Sequence, residues 1–161
     1  IWMVVEWLKH GKPTLVGAAT GCIAGLATIT PASGFIGPTG ALIIGILAAI
    51  LCYYMVGFVK NILKIDDTLD VFAVHGVGGL LGTLLLAPLG SKLFGGLGYS
   101  EVSIIEQFKI QIYGSFAVAI WSGLASFVIL MLLKKTIGIR VSAEEEEAGL
   151  DVSSHSESAY N

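Results

Sequence analysis

The sequence predicts an all-α membrane protein, a polytopic helical bundle, and three observations carry that prediction. Charged residues make up 13% of the 161-residue chain and hydrophobic residues 55%, about half the charged share usual in soluble domains. Asp, Glu, Lys and Arg are absent between Lys12 and Lys60, from Val71 to Ser91 and from Ile110 to Leu133. The first of these stretches has room for two of the ~20-residue apolar segments that cross a bilayer, and each of the others has room for one. No period-2 alternation recurs at the ~10-residue length of outer-membrane barrel strands, so helices are the expected spanning element.

Residues 1–13 open with "IWMVVEWLK", which is too short to span and has no initiator Met. They are expected to be the cytoplasmic end of a helix that begins elsewhere, followed by a loop, which makes the chain look like a fragment. A secretory signal would place a basic region before the apolar one and a small-residue cleavage site after it, and neither is visible. Residues 14–134 then predict four spans, near 14–30, 35–59, 69–90 and 110–134. Pro31, Ser33, Gly34, Gly37 and Pro38 separate the first two.

Small residues at regular spacing let helices approach closely in lipid, where no hydrophobic drive holds them together. Gly17, Gly21 and Gly25 form such a ridge on the first span. Gly76, Gly79 and Gly82, with Gly78 beside them, form a second on the third span. Cys22 and Cys52 fall in different spans without metal-like spacing and are expected to pack as small buried hydrophobes. Residues 135–161 form a tail. From Arg140 onward it carries six carboxylates and one Arg, so the formal net charge of −3 belongs to the tail and the remainder is net positive. The short run Glu144–Glu147 reads first as a solvated, partly disordered stretch.

Orientation follows from the basic residues. One side of the predicted bundle collects Lys9, Lys12, Lys60, Lys64, Lys134, Lys135 and Arg140, and the other only Lys92 and Lys109. The first side is therefore expected to be cytoplasmic, with the tail on it, in a multi-pass protein of the plasma membrane. Trp7, Tyr53 and Tyr54 suit interfacial anchors. No catalytic residue, metal site, cofactor or nucleic-acid partner is expected, and the chain does not read as an enzyme.

The segment "DDTLDVFAVHGVGG", Asp66 to Gly79, carries the chemistry. Asp67 and Asp70 have the spacing of a helix start, one carboxylate accepting orphan amides and the other near the positive end of the dipole, with Asp66 adding to the same field. His75 is different. At ~1.5 Å per residue it lies too deep for a short imidazole to reach back to water, and an ionisable group at that depth faces the bundle interior or a hydrated path by default. A neutral His bonded to a neighbouring helix is the plainer alternative. Val71, four residues earlier, shares its face. As a neutral ring, His75 would donate from one nitrogen and accept at the other, which suits a small hydrogen-bonding species.

These residues resemble the ammonium transporter family (Amt/Mep/Rh). "DDTLDVFAVHGVGG" is similar to the segment that carries the family's second pore histidine. "GKPTLVGAATGCIAGLATITPASGFIGPTGALIIG" resembles its eighth helix and the turn into its ninth, and "EEEEAGLDVSSHSESAY" its cytoplasmic tail. The resemblance implies an eleven-span trimer with one pore per subunit, of which this chain would hold the end of span seven and spans eight to eleven. It implies ammonium as substrate, recruited at an outer aromatic site, deprotonated at paired imidazoles and passed through an apolar pore, so that the chain would serve nitrogen uptake.

Carried over residue by residue, the resemblance makes His75 the pore histidine, Val71 a wall residue, and Thr20 and Ile23 pore-lining residues of the eighth helix. Gly149, Leu150 and Asp151 fall in a tail segment that packs on the cytoplasmic face, where PII-type signalling proteins dock in bacterial relatives. The partner imidazole, the aromatic site and the phenylalanine gate belong to a first half that these residues do not match. His10 and His155, in a loop and in the tail, do not replace the partner. A competing reading is a non-transporting membrane anchor or cofactor-binding subunit that uses His75 as a ligand.

Overall fold

A computed structural model describes residues 1–158. The chain divides into two compact units, Ile1–Ala117 and the part that begins at Val118.

In the first unit, α1 (Trp2–His10) ends on Gly11, whose φ of 74° places it in the left-handed region and whose amide donates to the Trp7 carbonyl. This region strains a residue with a Cβ, so glycine suits the stop. Glu6 ties α1 to the start of α2 (Leu15–Ile29). Its carboxylate accepts from the Thr14 amide at 2.8 Å, while Thr14 Oγ1 caps the Gly17 amide, also at 2.8 Å. Helix α3 (Pro38–Gly57) starts on a proline, whose missing amide costs nothing at that position. It runs on into a π-helical turn, Phe58–Ile62. A second π-helical turn, Val71–Gly76, leads into α4 (Val77–Leu89).

Helix α5 (Ile104–Thr136) is 33 residues long and starts before the charge-free stretch, taking in Glu106 and Lys109. The cause is local. Ser103 and Glu106 bond reciprocally, with Ser103 N to Glu106 Oε2 at 3.0 Å and Glu106 N to Ser103 Oγ at 3.2 Å, and this starts the helix one to two turns before the charges end. Among the described residues, four helical stretches are long and apolar enough to cross a membrane: Leu15–Ala32, Pro38–Ile62, Val71–Leu89 and Ile104–Thr136.

Within the first unit, α2 packs on α3 and α4, α3 packs on α4, and α1 lies against α2 and α3. Trp2, Ala24, Ala49, Cys52 and Val74 form one buried cluster, and Ala32, Ile44 and Leu89 form another. The glycine ridges pack in part. A Cβ on Gly17 would strike the Glu6 side chain, and one on Gly21 would come within 2.6 Å of Trp2 Cβ, whereas one on Gly25 would meet nothing. On α4 the packed pair is Gly78 and Gly82. A Cβ on Gly82 would collide with the Thr28 carbonyl, Gly79 faces open space, and Gly76 meets only Phe72 of its own turn. The every-third-residue ridge is thereby corrected to a spacing of four. Four residues turn an α-helix only about 40° past a full circle, while three fall short by about 60°.

Cys52 is fully buried, but Cys22 is exposed, which corrects its expected packing. Tyr53 and Tyr54 gather the basic end of α1. Lys9 Nζ lies 4.2 Å from the Tyr54 ring centre, and His10 Nε2 is 3.0 Å from Tyr53 OH.

In the second unit the tail folds into two short exposed helices, α6 (Ala143–Ala148) and α7 (Leu150–His155), which contact each other. The acidic run is therefore structured. Ser142 and Glu145 form a reciprocal cap, and Arg140 pairs with Glu146 at 2.9 Å. The backbone amide of Ser142 and then its hydroxyl hold the Glu145 carboxyl below its ordinary value. The last three tail residues, 159–161, lie outside the described residues.

Candidate functional site

The loop between α3 and the Val71–Gly76 turn assigns its three acids to different partners. Asp67 caps the turn, its two carboxylate oxygens accepting from the Val71 amide at 2.8 Å and the Ala73 amide at 3.0 Å. Burial works against the charged form of Asp67. The amides of Ala73, Phe72 and Val71, with Lys60 beyond them, outweigh that and hold its carboxyl below the usual range. Asp70 immediately precedes the turn at φ 56°, and its carboxylate turns to Lys60 Nζ at 2.7 Å rather than to the helix amides. Asp66 accepts from the Thr68 hydroxyl at 2.6 Å. Sequence spacing located the cap but not the Lys60 partner of Asp70, which comes from the π-helical turn Phe58–Ile62, ten residues earlier in the chain.

His75 sits on the π-helical turn immediately after Ala73 and Val74, which are both buried. Its side chain is exposed, as is Val71 at the start of the same turn. The described chain packs the turn through Val74 and leaves the imidazole uncovered. Thr20 is half-buried on α2, its hydroxyl donating to the Val16 carbonyl at 2.9 Å, and Ile23 is exposed one turn further along. Helix α2 and the Val71–Gly76 turn are in contact, and Ala24 and Val74 share one buried cluster. Gly149, Leu150 and Asp151 lie at the junction of α6 and α7 in the second unit, with Gly149 at φ 89°. Among the described residues, no three His, Cys, Asp or Glu side chains group as metal ligands.

The four spanning-length helices among the described residues, one of them carrying an imidazole in an otherwise apolar stretch, define a polytopic membrane protein. The chain belongs to the Ammonium Transporter Family, whose model matches residues 1–160. It is 45% identical over 160 residues to an ammonium transporter of Aquifex aeolicus, which covers 99% of this chain and 38% of that protein. Two solved structures are similar. One is described as a sensor Amt protein (34% identical, TM-score 0.82, 94% of this chain and 37% of that one), and the other is Mep2 of Saccharomyces cerevisiae (33% identical, TM-score 0.77, 91% and 35%). The chain thus spans less than two fifths of the length of these relatives.

Proposed function

We propose that the chain supplies the histidine-bearing part of a pore that carries ammonium across the plasma membrane as ammonia and a separated proton. The observation that carries this reading is His75, the one ionisable side chain in the span Val71–Leu89, left uncovered beside a buried, packed segment in a member of this family. Moving a bare ammonium ion through the bilayer centre costs at least ~2.5–3.5 kcal/mol by insertion scales. A neutral imidazole that donates at one nitrogen and accepts at the other offers a path for the proton, while ammonia crosses the apolar wall. Potassium ion has neither a proton to give nor a hydrogen bond to donate, so selectivity rests on chemistry as well as on width.

In this reading Val71, Thr20 and Ile23 line the path beside His75, and a second imidazole comes from outside the chain's own histidines. His10 is engaged with Tyr53, and His155 ends α7. The assembly is a homotrimer with its tail in the cytoplasm, where Gly149, Leu150 and Asp151 offer a docking point to a neighbouring subunit or a PII-type signalling protein. The test is ammonium flux into lipid vesicles carrying the whole gene product. His75→Ala should change the flux or its selectivity against potassium ion, and an unchanged flux and selectivity would sink the role assigned to His75.

A further inference from the structure

Three polar groups meet in the buried core where α2, α3 and the Val71–Gly76 turn come together. Thr28 of α2 is completely buried, and its Oγ1 has no well-aligned hydrogen bond among the described residues. The side chain it faces is Cys52 of α3, which is also completely buried. Cys52 Sγ in turn lies 3.8 Å from the carbonyl oxygen of Val74. Gly78 makes the convergence possible. A Cβ there would come within 2.6 Å of Thr28 Oγ1 and 3.3 Å of Cys52 Sγ. Trp2, Ala24, Ala49 and Val74 complete the buried cluster around Cys52.

The position of the acceptor gives this group its meaning. The Val74 carbonyl, which also accepts from the Val77 amide, belongs to the same peptide plane as the His75 nitrogen, so a second donor on that oxygen helps fix the orientation of the backbone that carries the imidazole. The turn is π-helical, with one residue more per turn than an α-helix accommodates, and such a turn can relax to α-helical register by rotating its side chains around the axis. Inside a membrane no water competes for the carbonyl or the hydroxyl, so a thiol between them is a donor to one and an acceptor for the other.

We propose that Cys52 is a positioning residue for His75. The Thr28 hydroxyl donates to the Cys52 sulfur, the Cys52 thiol donates to the Val74 carbonyl, and the pair holds the Val71–Gly76 turn in the register that presents the imidazole. This role rests on the pore reading for its functional consequence, but not for its structural one.

The two parts are separated by measuring amide hydrogen exchange across residues 71–80 alongside ammonium flux, using the whole gene product in lipid nanodiscs and vesicles. Cys52→Ala removes the donor and has nearly the volume of the Cys52→Ser control. It should speed exchange in the turn by about tenfold and shift the pH profile of the flux, and Cys52→Ser should restore both toward the parent. Thr28→Val, which removes only the outer donor, should act in the same direction by a smaller factor. Exchange in Cys52→Ala that matches the parent, or that Cys52→Ser does not restore, would overturn the proposal, because Cys52 would then act through packing alone. If the turn loosens while His75→Ala leaves flux and selectivity unchanged, the pore reading fails and the positioning role stands.

Discussion

Helices α4 and α5 are both apolar and long enough to span, yet the chain uses them in opposite ways. Helix α4 buries Gly78, Gly82, Ala87 and Leu89 against its neighbours, while none of the residues of α5 is buried. Hydrophobicity does not separate them. Glycine spacing does: Gly78 and Gly82 stand four apart where Thr28 meets them, by its side chain at Gly78 and its backbone at Gly82, whereas Gly114 and Gly123 of α5 stand nine apart and would each offer a Cβ nothing to touch. In lipid an apolar side chain gains little by leaving its surroundings, so close backbone approach decides which faces pack.

The sharpest way to break that contrast is a single methyl. Gly82→Ala drives a Cβ into the Thr28 carbonyl and should destabilise the first unit by about 1–3 kcal/mol or more. Gly114→Ala should leave stability unchanged or raise it by up to about 1 kcal/mol. Thermal unfolding in matched detergent compares the two, and equal effects would remove packing as the distinction between α4 and α5. A smaller loss, about 1 kcal/mol, is expected from Asp67→Ala, which strips the cap from the turn leading into α4.

The same carboxylate sets a pH dependence. Because the Asp67 carboxyl lies below its ordinary value in the folded chain, its contribution is complete above the unfolded value of about 3.9 and fades as the pH falls through the folded one. Asp67→Asn should therefore flatten the acid limb of a stability profile below about pH 4, and an unaltered limb would show that the cap is dispensable. Smallest of all is Ser142→Ala. It opens the reciprocal cap of α6 and should lower helicity in the tail by a cost of about 0.5–1 kcal/mol, leaving the first unit untouched in circular dichroism and melting.

Helical class and the number of spanning stretches were legible because each depends on composition or on short-range spacing. Charge-free length marks a span, and an imidazole inside one needs no partner in order to be noticed. Other features were not legible for equally local reasons. The start of α5 was hidden because Ser103 and Glu106 cap it beyond the apolar stretch, and charged residues sit comfortably in a helix that leaves the hydrocarbon. The structured tail was hidden because a glutamate run reads as solvated until Ser142 and Arg140 are seen to organise it. The roles of Asp67 and Asp70 separated only once Lys60 arrived from another helix.

The sequence alone determined that this chain is a helical membrane protein of its family, since bilayer thickness, residue polarity and three quoted motifs need no contact map. Only the tertiary structure decided that the turn before α4 is π-helical, that Gly78 rather than Gly79 admits a neighbour, and that Thr28, Cys52 and Val74 meet beside His75. Those choices depend on which helix backbones approach one another. That is set by the sum of many contacts distant in sequence, each too small to leave a pattern of its own.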